Sequence, residues 1–236
     1  WTHHIQKDFN LYGHVWNTDD GTATGNPMPY CAPTATINSF IYLENAYPDV
    51  YDNLLTPTTN FAAREQLRAL MGGCANGAND QQWWEGKVTY LEDKAPGRTI
   101  YDGMVQTTLA PSTWLQGAVL SNAYPTIDFL FENLVACEDI ELKIQWEAGG
   151  GLDEGAHALT LTSLQWNDLN GNSVWEPLLN EPARLDYIDP NNPIQTFEQD
   201  LFYQNNRLEF VWENGGANTP RQVWIDAAFV ESPIPE

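Results

Sequence analysis

Basic residues are scarce in this 236-residue sequence: 10 Lys and Arg stand against 32 Asp and Glu, for a formal net charge of −22. So acidic a chain repels phosphate backbones, which argues against nucleic acid as a partner. Long apolar runs are missing too. None approaches the roughly 18 residues of a spanning helix, so no membrane partner is expected for this stretch. No signal-peptide pattern is seen, and a chain opening on Trp1 reads as a mature or trimmed form. Cysteine is rare: only Cys31, Cys74 and Cys137 occur, without a CxxC pair, which speaks against a cysteine zinc site. An odd count in a secreted protein often means one bridge and one free thiol. Cys74 lies in a glycine-rich turn, Gly72 to Gly77, and Cys137 follows an apolar helical run. Neither opens a helix, so a Cys74–Cys137 disulfide and a free Cys31 are expected, with three reduced thiols as the alternative. Internal repeats and interdomain linkers are also lacking, so residues 1–236 read as one domain and one monomer.

Apolar residues are plentiful, at 42% with 10 Trp, 10 Tyr and 9 Phe, enough for a packed core. Residues 1–30 look irregular, and the adjacent His3 and His4 point different ways on any regular element, which disfavours a metal pair. The informative stretch follows. In Tyr30-Cys31-Ala32-Pro33-Thr34-Ala35 the proline suits a first helical turn, where its missing N–H costs nothing. Apolar spacing carries that helix from about Pro33 to Ala46, before Pro48. Cys31 is thus expected at a helix N-terminus, where free N–H groups and the helix dipole favour a thiolate. The competing reading is an inert buried cysteine. Further helices are expected over Phe61–Met71 (capped by Asn60), Gln82–Asp93 and Pro125–Val135, and strands over Thr99–Thr107 and Ile140–Trp146.

A glycine-rich turn then delivers His157 at the start of the alternating run Ala158-Leu159-Thr160-Leu161-Thr162. That position suits a general base, or a histidine that merely caps a sheet edge. In Asn167–Glu176 oxygen-bearing side chains recur at alternate positions. Asp168, Asn170, Asn172, Glu176 and the Val174 carbonyl follow the early spacing of a calcium loop. Ser173 stands where glycine is usual and Leu179 where a bidentate glutamate belongs, and Glu181 could serve in its place. The alternative is an Asn/Gly-rich hairpin turn. The returning strand runs through Leu185 to Asp189 and stops at Pro190. Residues 194–236 carry further strands, among them Leu208–Trp212 and Gln222–Phe229, and the tail. Helices in the first half and strands in the second make the expected class α+β.

The order of these elements is a cysteine opening a helix, a histidine opening a strand and an aspartate closing the next one. It resembles the papain-like cysteine peptidases. Cys31-Ala32-Pro33-Thr34-Ala35 resembles the Cys-Gly-Pro-Thr-Ala motif of their bacterial, double-glycine (bacteriocin-processing) branch. Gly155-Ala156-His157-Ala158-Leu159-Thr160-Leu161 resembles their histidine strand, and Tyr187-Ile188-Asp189-Pro190 the strand end bearing the residue that orients the histidine. The resemblance covers about residues 25–46 and 140–193. It implies a papain-like fold, with N-terminal helices packed on an antiparallel sheet, and a Cys31-His157-Asp189 triad acting on peptides or proteins with no cofactor required. Asp168 is the rival third member. Ala32 replaces the usual glycine. The family's oxyanion glutamine, six positions before the cysteine, is replaced by Gly25, with Asn26 beside it as the substitute donor. Two other readings stay open: a non-catalytic surface or matrix protein, and an acyltransferase or amidase using the same triad. The closing residues, Glu231-Ser232-Pro233-Ile234-Pro235-Glu236, resemble the approach to a PEP-CTERM sorting tail. That resemblance implies a bacterial protein exported to the cell-envelope surface.

Overall fold

The computed structural model describes residues 1–17, 30–55, 59–73, 77–107, 109, 119–136, 138–147, 155–213 and 220–234. Gly25, Asn26, Cys74, Cys137 and the last two residues of the sorting-tail resemblance lie outside these. Among the described residues Cys31 is a free thiol.

Among the described residues nine strands form one sheet: β1 (His3–Gln6), β2 (Thr99–Val105), β3 (Val119–Ser121), β4 (Asp139–Trp146), β5 (Gly155–Trp166), β6 (Ala183–Asp189), β7 (Asn192–Gln204), β8 (Arg207–Trp212) and β9 (Arg221–Pro233). Successive strands from β4 to β9 pair antiparallel, and β4 also pairs with β9, Asp139 opposite Glu231 and Leu142 opposite Ala228. That last ladder closes a six-stranded antiparallel barrel. β1 extends the sheet from β5, and β2, with β3 parallel to it, from β9.

This closure overturns the expected α+β, papain-like arrangement. The dominant element is a closed barrel with added strands, and the helices are few. They are α1 (Cys31–Ala46), α2 (Pro48–Tyr51), α3 (Asn60–Leu70), α4 (Asp80–Lys94) and α5 (Ile127–Val135). The β4–β9 pairing joins segments far apart in sequence, so no local pattern announces it. Three further strands escaped periodicity, the short β3 among them. β1 lies in the segment expected to be irregular. β7 carries Pro193 and a mostly polar outer face, and its hairpin to β8 turns at Asn205-Asn206, both with positive φ, at 53° and 61°. The cap of α3 is Thr59, whose Oγ1 accepts from Ala62 N at 3.2 Å, one residue earlier than expected.

Alternation along β5 separates two cores. Leu159 and Leu161 point into the barrel with Leu142, Ile144, Leu185, Tyr187, Phe210 and Ile225. A bulge between Leu161 and Ser163 resets the alternation, so Leu164 points inward as well. On the outer face Ala158 meets Ile37, Phe40, Trp83, Trp84 and Phe229 in the core between helices and barrel. Thr160 donates there to the Ala35 carbonyl at 3.2 Å. α1 is buried on nearly every side, from Ala32 to Leu43, because strands cover one flank and α3 and α4 another. At the α3–α4 crossing only glycine fits at position 86: a Cβ there would sit 2.5 Å from Met71 Cγ. Among the described residues no helix is long and apolar enough to cross a membrane.

Candidate active site

Cys31 is the first residue of α1. Its N-cap, Tyr30, supplies no side-chain acceptor, so the first-turn N–H groups stay available to the thiol. Arg64, fully buried on α3, holds this entrance. Its guanidinium lies 4.9 Å from the Tyr30 ring centroid and donates to the Trp16 carbonyl at 2.9 Å. The segment before α1 is pinned along it: Asn38 Oδ1 accepts from Val15 N at 2.8 Å, and the Asn38 carbonyl from Gly13 N at 2.9 Å.

His157 enters from the barrel. It is the third residue of β5, on the same face as Leu159, and Asp189 ends the neighbouring β6. His157 Nε2 lies 2.8 Å from Asp189 Oδ1. Trp212, from the end of β8, donates its indole N–H to Asp189 Oδ2 at 2.7 Å, and its ring lies 4.9 Å from the imidazole. Asn191 donates its backbone N–H to Asp189 Oδ1 at 2.8 Å. Asn17 links the two sides of the site. Its N–H donates to the Pro190 carbonyl at 2.8 Å and its amide to Asn191 Oδ1 at 3.3 Å, while Thr34, in the first turn of α1, donates to Asn17 Oδ1 at 3.4 Å.

Electrostatics follow from this packing. Burial alone would raise the Cys31 thiol. The hydrogen bond and charge of His157, then the Ala158 and Ala32 backbones, overcome that and lower it. Burial likewise opposes protonation of His157, but the charge and hydrogen bond of Asp189, followed by those of Cys31, lift it to about 10. Asp189 is fully buried, which would raise it, yet His157, Asn191 N–H and Trp212 hold it below the usual carboxylate range. With Nε2 committed to Asp189, the other ring nitrogen is left for the thiol proton. A thiolate at a helix N-terminus beside an imidazolium is a competent nucleophile.

Cys31, His157 and Asp189 thus come together, whereas Asn26 falls outside the described residues. Asp168 stands apart on the β5–β6 connection. Its carboxylate accepts from Ser173 N at 2.7 Å, Gly171 N at 2.6 Å and Asn172 N at 3.2 Å, contacts that hold it below its ordinary range. Of the expected calcium ligands, Asn170 and Asn172 both donate to Glu176 Oε2, and Glu181 accepts from Leu169 N and Glu176 N. Val174 N–H donates to Asn172 Oδ1 at 2.9 Å. Ser173, standing where glycine was expected, adopts the left-handed φ of 61° that this position demands.

A second acidic group lies between the helices and the barrel. Ligand atoms of the fully buried Asp139, Glu141 and Glu231 fall within 4.8 Å of one another. Lys87 of α4 bonds both Glu141 and Glu231, so an ammonium already stands among these carboxylates. Burial, then the charge of Glu141, push Asp139 up to about 7.

Trp212, Asn17, Asn191 and Arg64 were missed by sequence reasoning. They act through contacts between distant segments, and no local pattern marks them. No protein-family model matches the sequence, and no curated protein does.

Proposed function

We propose that the protein is a thiol hydrolase that cleaves peptide amides through Cys31, His157 and Asp189. The observation that carries this reading is the His157–Asp189 contact of 2.8 Å, formed beside a helix-opening Cys31 whose thiol is lowered by His157. In this mechanism His157 takes the thiol proton, and Asp189 fixes its tautomer and orientation. The thiolate attacks the amide carbonyl, and the Cys31 backbone N–H, with Asn26 as the proposed partner, stabilises the oxyanion. His157 then protonates the leaving amine, and water releases the acyl group. The motif resemblance to the bacterial papain-like peptidases supports the same chemistry. Export to the cell-envelope surface, suggested by the tail resemblance, belongs to the same proposal, as does structural calcium at the Asp168–Glu181 loop.

The test is the alkylation rate of Cys31 with iodoacetamide against pH, read at that site by mass spectrometry. A thiolate plateau persisting below about pH 6, against about 8.5 for an unperturbed thiol, and abolished in His157→Ala, supports the reading. A rate that rises only near the ordinary thiol value sinks it and favours a non-catalytic binding protein. Product analysis with an added amine separates hydrolysis from acyl transfer.

A further inference from the structure

Among the described residues, one cation near the candidate site has no carboxylate within ion-pair distance. Arg64, Arg68, Arg184 and Arg207 each lie within ion-pair distance of a carboxylate. Arg221, at the start of β9, pairs with none among the described residues, although acids outnumber bases 32 to 10. Its Nε is buried without an acceptor. The residue is only half-buried, so its charge is open to an anion at the terminal nitrogens.

Arg221 is the outer end of a stack that leads to the catalytic imidazole. Its guanidinium lies 5.0 Å from the centroid of Trp146. Trp146 stacks on Trp212 at 5.2 Å, and Trp212 lies 4.9 Å from His157. The stack is built in by its strands. Arg221 is the register partner of Trp212, and Trp146 that of Gly155, two residues before His157. Gly155 is required there, since a Cβ would lie 2.4 Å from Trp146 Cζ2. The indole therefore rests on the β5 backbone, and Arg221 rests on the indole.

We propose that Arg221 is a substrate-binding residue that receives a carboxylate of the peptide through its terminal guanidinium nitrogens, with Trp146 as the platform beneath it. This inference rests on the peptidase reading and deepens it by assigning an anionic substrate class. Each step of the stack is about 5 Å, and an extended peptide rises about 3.3 Å per residue. The carboxylate therefore lies within roughly four residues of the bond that is cut. An acidic side chain and a free C-terminus offer the same group, and only experiment separates them.

The test uses matched peptides with Glu or Gln at each position within four residues of the cleaved bond, each as free acid and as C-terminal amide. Both kcat/KM and binding to the Cys31→Ala protein are measured. The expected result is a preference of about tenfold or more for one carboxylate position. The preference should be lost in Arg221→Gln and partly kept in Arg221→Lys, which retains charge without the planar fork. If Arg221→Gln does not fold, Arg221→Lys alone must still reduce the preference. A preference confined to free acids assigns the C-terminus, and one that survives amidation assigns a side chain. Cleavage with no carboxylate preference, or with one that Arg221 substitutions leave unchanged, overturns the inference while the peptidase reading stands. Arg221-dependent binding to Cys31→Ala without cleavage by the unmodified protein keeps the site and overturns the peptidase reading. A loss of stability without change in preference means that Arg221 only seals the barrel mouth.

Discussion

Asp189→Asn changes one oxygen to an amide nitrogen, and the structure has no place for the new N–H donors. Asp189 Oδ1 receives Asn191 N–H and faces His157 Nε2, while Oδ2 receives the Trp212 indole N–H. An asparagine can turn its amide nitrogen toward Trp212, which is only a donor. It can instead turn it toward His157 and Asn191 N–H. In that orientation the imidazole can satisfy it only by giving up its Nε2 proton and carrying the proton on the nitrogen that faces Cys31. That tautomer cannot act as a base toward the thiol. A charge-assisted hydrogen bond is worth about 1.5–3 kcal/mol, and each 1.36 kcal/mol corresponds to about one pKa unit. His157 should therefore fall from about 10 to about 8–9. The upper pH limit of peptide cleavage, set by loss of the imidazolium that protonates the leaving amine, moves down with it. Peptidase kcat should drop about 10²- to 10⁴-fold, as expected for a wrong tautomer in a triad. The assay pairs the pH profile of kcat with NMR titration of the His157 ring. A His157 titration unmoved in Asp189→Asn would refute the reasoning, because the charge held responsible would then not govern the imidazole.

Other expectations test the surroundings of the site. Asp139 is raised in the folded state to about 7, against about 3.9 when unfolded. Its stabilising contribution is therefore complete below about pH 4 and lost as pH rises through 7. Asp139→Asn should flatten that decline and gain about 1–3 kcal/mol above pH 8 in denaturant titrations; an unchanged pH profile would count against it. Lys87→Met leaves Glu141 and Glu231 without their shared ammonium and should cost about 3–5 kcal/mol, read as a fall in Tm. Asn17→Ala removes the side-chain tie between Thr34 and Asn191, and should narrow the Cys31 thiolate plateau with little change in Tm. Calcium added to chelator-treated protein should raise Tm if the Asp168–Glu181 loop binds it, and Asp168→Ala should cancel the rise.

The three central residues were legible because each sits where a local rule operates. Pro33 marks the first turn that places Cys31, the alternation after Gly155 marks the strand that opens near His157, and Pro190 marks the strand end at Asp189. Residues that hold this group in place carry no such mark. Trp212 reads only as the end of an apolar run, and Asn17 as the start of a turn; their roles come from segments that meet after folding. The barrel was illegible for the same physical reason. Its closing ladder, from β4 to β9, depends on pairing between remote segments. The polar outer face of β7, with Pro193 at its start, hides a 13-residue strand. The expectation of a papain-like α+β fold, with helices packed on an antiparallel sheet, therefore placed many local elements but got their assembly wrong.

Barrel closure also sets the order in which the parts of the site can come together during synthesis. Cys31 leaves the ribosome first, on α1, and β5 and β6 bring His157 and Asp189 later. The seam that locks those strands in a ring needs β9, which spans Arg221–Pro233. Loop closure over so long a separation is slow and cannot begin before that strand is available. A nascent chain from which β9 has not yet emerged would therefore lack the closed ring that holds His157 and Asp189 in place. On the proposed function, an activated Cys31 would then need a docked β9, and ring closure would act as a timer for its reactivity.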